Sequence, residues 1–135
     1  MKKLFFLFCL LFAGGSCQNT DLNPESVIGT FQLINDPVRC ALPTSNTVQI
    51  TSDGSSFKIA YDYFGKSGQV ISGVSMEKTD TETKLYYKGT QIGNYLKDKY
   101  TNWDGKSFKD VEGMVLYLHY YDQSTKEHLA FMGKK

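Results

Sequence analysis

A chain of 135 residues has room for one domain, and its 41% hydrophobic and 21% charged residues are those of a globular protein. The formal charge is +1; without Lys2 and Lys3, thirteen bases stand against fourteen acids, close to −1. Arg39 is the single arginine and no basic stripe occurs, which argues against nucleic acid as a partner.

Met1-Lys2-Lys3 is a short basic start, and residues 4–13 (LFFLFCLLFA) form an unbroken apolar run that ends in Gly14, Gly15 and Ser16. Basic start, short apolar run and small-residue exit make a secretory signal. The run is too short to span a bilayer, which takes roughly 20 apolar residues. Cys17 follows at once, and the stretch AGGSC resembles a bacterial lipobox, with Gly14 where leucine is usual. The resemblance implies that Cys17 becomes the lipidated N-terminus of an envelope lipoprotein, with its acyl chains (diacylglycerol and a fatty acid such as palmitate) in the outer membrane. Several acyl chains anchor stably where one is marginal. The competing reading is an ordinary signal cleavage, which leaves Cys17 and Cys40 as a thiol pair able to form one disulfide. The expected organisation is a signal segment at 1–16, a lipidated cysteine and tether at 17–25, and a β domain at 26–135.

Asn23-Pro24-Glu25 has the chemistry of a helix start, but only one turn fits before the pattern changes. From Val27 onward the period is two. Val27, Gly29, Phe31 and Leu33 alternate with Ile28, Thr30, Gln32 and Ile34; Val48 and Ile50 precede the Asp53-Gly54 turn. Phe57, Ile59, Tyr61 and Tyr63 alternate with Lys58, Ala60 and Asp62, and Val70, Ser72, Val74 and Met76 follow in the same phase. Leu85 and Tyr87 lead into a Lys88-Gly89 turn. Val115, Tyr117, His119 and Tyr121 form one phase of the longest run, opposite Met114, Leu116, Leu118 and Tyr120; residues 127–132 close the chain. Residues 93–110 fit a long loop, a hairpin or a helical turn. Short strands at regular spacing with turn chemistry between them predict an all-β domain of about eight antiparallel strands. An up-and-down barrel is preferred to a β-sandwich because closure removes exposed edges.

Gly29-Thr30-Phe31 resembles the Gly-x-Trp opening of the first strand in lipocalin-like domains, with phenylalanine for tryptophan. The proline-bounded stretch 36–47 falls where that family places its large loop over the barrel mouth. A Thr-Asp-Tyr motif is missing, and so is a C-terminal arginine to pack over the first-strand aromatic, a place that Lys126 or Lys134 would have to take. The resemblance implies a barrel closed at the Gly29 end, open at the other and suited to an apolar or amphipathic ligand.

Residues for chemistry are few. His119 and His128 are the only histidines, and neither an enzyme motif nor a metal-ligand spacing occurs, so no enzyme and no cofactor is expected. Tyr61, Tyr63, Tyr87, Tyr117 and Tyr121 share a phase with aliphatic residues and are expected inside, lining a cavity or filling it. Trp103, amid Tyr100, Asn102, Asp104 and Lys106, suits either partner recognition or, preferably, a plug at one barrel end. The function expected is non-catalytic binding of a small apolar or amphipathic ligand by a membrane-anchored barrel. The alternative is an interaction module for an envelope protein, with a packed barrel.

Overall fold

The polar turns of the sequence each reverse the chain into the neighbouring strand, as a computed structural model that describes residues 27–35, 45–63 and 65–135 shows. The strands are β1 (Gly29–Leu33), β2 (Thr47–Asp53), β3 (Ser56–Tyr63), β4 (Lys66–Lys78), β5 (Glu82–Tyr87), β6 (Thr90–Trp103), β7 (Phe108–Tyr121) and β8 (His128–Lys134). Each pairs antiparallel with the next, and β8 returns to β1 through Gln32–Lys134 and Leu33–Gly133. The result is a closed eight-stranded up-and-down barrel, so the β-sandwich is set aside. Cys17, the tether, the helix start at 23–25 and the 36–44 stretch of the first loop lie outside the described residues.

Turn chemistry explains the reversals. Lys88 and Gly89 both have positive φ (51° and 78°), as a two-residue type I′ turn requires, and this turn joins Tyr87 to Thr90. Residues 93–110 resolve into a hairpin, with Trp103 opposite Phe108 and Asp104 at its turn. Alternating strand direction puts the β2–β3, β4–β5 and β6–β7 turns at one end, with the start of β1 and the end of β8. The β3–β4, β5–β6 and β7–β8 turns form the other end, the mouth.

Two sequence phases are corrected. In β4 the inward residues are Ile71, Val74 and Met76, while Val70 is 53% exposed. The cause is a bulge: Phe57 faces Val74 but Lys58 faces Ser72, so Gly73, with φ +79°, is the extra residue that switches the faces. In β7 the inward phase is Met114, Leu116, Leu118 and Tyr120. Val115 and Tyr117 lie on the outer wall, where Val115, Ile34, Tyr100 and Met132 form a second cluster and Tyr117 packs against it.

Among the described residues the barrel interior is filled. Phe31, Val48, Ile50, Ile59, Val74, Leu85, Leu116 and Leu129 have no accessible surface, so no water-sized space touches them. At the β1 end the Phe31 ring meets Tyr95 edge-on at 5.7 Å, and Lys135 Nζ lies 5.6 Å from its centroid. Lys135, rather than Lys126 or Lys134, therefore takes the place over the first-strand aromatic. Lys134 instead lies on the outer wall, 5.7 Å from the Tyr100 ring.

Candidate functional site: a notch at the barrel mouth

The ladder between β6 and β7 stops at Gly93–Leu118. Above that pair β6 turns away: Leu85 faces Gly93 but Tyr86 faces Gln91, which leaves Ile92 as a bulge. His119, Tyr120 and Tyr121 continue upward, paired to β8 alone. The wall is therefore open between the β5–β6 and β7–β8 hairpins, and the opening holds a cavity of about 620 Å³ lined by residues 87–92 and 119–124 except Gly89. That volume lies within the range of small-molecule sites.

Aromatic rings make its floor. Tyr87 and Tyr120 meet edge-on at 5.5 Å, with buried Ile92 beside them. The rim is polar: Lys88, with its Nζ 5.0 Å from the Tyr87 centroid, then Gln91, His119, Gln123 and Ser124. His119 stands on the outer face with its ring 4.8 Å from that of His128. Among the described residues no group of three His, Cys, Asp or Glu side chains is placed to hold a metal.

Asp122 organises one side. Its Oδ1 accepts hydrogen bonds from the Ser124 amide (2.8 Å), the Ser124 hydroxyl (2.6 Å) and the Thr125 amide (3.2 Å). Its Oδ2 accepts one from the Tyr120 hydroxyl at 3.1 Å. The Ser124 hydroxyl, followed by the Thr125 and Ser124 amides, holds the Asp122 carboxyl down at about 2. Burial, followed by the bond to Asp122, pushes the Tyr120 phenol up to about 12. An ion pair between Lys66 and Glu127 (3.7 Å) ties the β3–β4 end to the β7–β8 hairpin across the mouth.

These shifts bound the pH range of the notch. The depressed carboxyl contributes stability above its unfolded value, about 3.9, and loses it as pH falls towards 2. The raised phenol contributes below its unfolded value, about 10, and loses it as pH rises towards 12. The arrangement should hold between roughly pH 4 and pH 10. In an NMR titration the Ser124 and Thr125 amides should shift with a midpoint near that of Asp122. A midpoint at the ordinary aspartate value would show that the carboxyl is not held by the turn.

The tyrosines expected inside divide. Tyr61 is buried in the core and Tyr87 is on the notch floor. Tyr63 ends β3 opposite Lys66. Tyr117 is on the outer wall, where its hydroxyl donates to Asp98 Oδ2 at 2.6 Å, and Tyr121 is 49% exposed at the notch rim. Trp103 plugs nothing: it is 43% exposed at the hairpin tip, against Phe108. Gly29, Thr30 and Phe31 open β1 opposite Ile50, Gln49 and Val48. Sequence reasoning does not find Tyr120 or Ile92 as parts of the notch. For Tyr120 a signal exists, because it shares its phase with Met114, Leu116 and Leu118, the more aliphatic of the two phases of β7.

Fold and site together define a closed, eight-stranded antiparallel barrel compatible with a lipocalin-like architecture, with a packed interior and an aromatic notch at its mouth. Compared with known protein families, curated proteins and solved structures, the chain has no match.

Proposed function

We propose that this chain is a lipid-anchored envelope protein, cleaved after residue 16 and acylated at Cys17, whose barrel binds a small amphipathic ligand without catalysis. The observation that carries the binding is the notch: two tyrosine rings and Ile92 below, polar side chains above, in a wall whose ladder has ended. Because the interior is filled, the ligand sits at the mouth rather than deep in the barrel. A flat apolar body with one or two polar groups suits the lining, since rings take the body while Gln91, His119 and Ser124 fix its orientation. The signal segment and lipobox-like stretch support the anchor.

Native mass spectrometry of the protein isolated gently from membranes tests this reading. A bound mass that leaves under denaturing conditions is expected, and Tyr87→Ala should weaken its retention by about tenfold, the worth of one aromatic contact. A clean apo mass, with no amphipathic probe retained on titration, would sink it. The packed interior also favours a second reading, a module that docks an envelope protein, and that reading would then stand first.

A further inference from the structure

The β6–β7 hairpin carries more strand than the barrel uses. β5 covers β6 only to Leu96, and β8 covers β7 only to Leu116, so residues 97–103 and 108–114 pair with each other alone. One face of this extension is secured. Tyr100 is buried with Ile34, Val115 and Met132, and Lys134 Nζ donates to Asn102 Oδ1 at 3.2 Å. The tip turn is braced as well: Asp104 Oδ1 accepts the Lys106 and Ser107 amides at 2.9 Å each, and its Oδ2 pairs with Lys109 at 2.6 Å.

At this braced tip sit two large aromatics in the open. Trp103 and Phe108 are cross-strand partners with rings 4.9 Å apart, 43% and 53% exposed. Lys106, in the turn between them, makes no ion pair among the described residues. Strand alternation places this turn at the same barrel end as the start of β1. Gly29 follows Cys17 by twelve residues, a span of roughly 40 Å at full extension. An anchor at Cys17 therefore leaves the tip's end of the barrel within reach of the bilayer.

We infer that the Trp103–Phe108 tip is a second membrane contact, seated in the headgroup layer of the bilayer that holds Cys17; this rests on the lipid-anchor reading above. A tryptophan suits that depth because its ring is apolar while its N–H seeks the polar layer. Phe108 adds apolar area, and Lys106 is free to meet phosphate oxygens. The tether restricts distance and the tip fixes orientation, so that the mouth with its notch faces away from the membrane.

Trp103 is the sole tryptophan, so its emission reports the tip without labelling. The protein is placed on vesicles of phosphatidylcholine and phosphatidylglycerol, with some of the former brominated near the headgroup. It is held by its acyl chains or, if the mass of the Cys17 peptide shows none, through Cys17 to a maleimide lipid in a Cys40→Ser chain that begins at Cys17. Expected on either support are a shift to shorter wavelength and about a twofold loss of emission, the behaviour of a ring at the interface. Phe108→Ser should reduce both changes with the β-sheet spectrum unaltered. Emission that is unshifted and unquenched on vesicle-bound protein overturns the proposal and leaves the tip to a protein partner. A Cys17 peptide without acyl mass overturns the anchor reading separately.

Discussion

Replacing Gly93 by alanine should destabilise the barrel by about 3 kcal/mol, at the upper end of ordinary overpacking costs. Gly93 sits opposite Leu118 in the last β6–β7 pair below the notch. A Cβ there would collide with the Tyr117 carbonyl oxygen and come within 2.7 Å of Leu118 Cδ2. The carbonyl belongs to the neighbouring strand and cannot rotate away without breaking the ladder. Gly113, on the same ladder opposite Asp98, is the control: a Cβ would meet the Tyr100 ring at 3.7 Å, an ordinary contact. Gly113→Ala should stay within about 0.5 kcal/mol of the parent. Urea unfolding followed by the β-sheet spectrum measures both. Equal midpoints would show that the strands can separate at Gly93 at little cost. Because Gly93 closes the ladder where the notch opens, its replacement should also weaken any ligand held between Tyr87 and Tyr120.

Period-two patterning is sufficient for the fold wherever a strand keeps one buried face. β3 is the clearest case: Phe57, Ile59 and Tyr61 alternate with Lys58, Ala60 and Asp62, and the first three pack in or against the core. The pattern misleads where local geometry changes the faces. In β4, Gly73 inserts one residue, and a count by twos from Val74 back to Val70 then crosses from inside to outside. Nothing in the spacing of apolar residues marks such a bulge, although the glycine is its usual agent. In β7 both faces carry apolar residues, because the outer wall has its own cluster of Ile34, Tyr100, Val115 and Met132. Alternation then identifies a strand without saying which side is in. The notch is less legible still. It exists because β6 bulges at Ile92 and leaves β7, and a gap between two strands is a property of pairing rather than of either segment. The sequence around Trp103 suggests an indole folded back over a barrel end, yet the hairpin is pinned through Tyr100 on its other face, which leaves the ring outside.

The filled interior makes Phe31 a test of both stability and ligand location. Phe31→Ala should cost about 4 kcal/mol, the usual loss for a fully buried aromatic. The ring has no accessible surface, meets Tyr95 edge-on and lies beneath the Lys135 ammonium. What remains is an apolar hole among aliphatic and aromatic side chains, of the kind that stays dry and takes up small apolar molecules. The parent barrel should not enhance the fluorescence of an apolar probe at this end, whereas folded Phe31→Ala should, and Lys135→Met should leave the parent's behaviour unchanged. Probe binding by the parent that Tyr87→Ala abolishes would locate it at the notch and agree with a mouth site. Probe binding by the parent that survives Tyr87→Ala and competes with nothing at the mouth would mean that the interior opens in solution. The ligand would then belong inside the barrel, as the first-strand resemblance implies, and the notch would be its entrance rather than its seat.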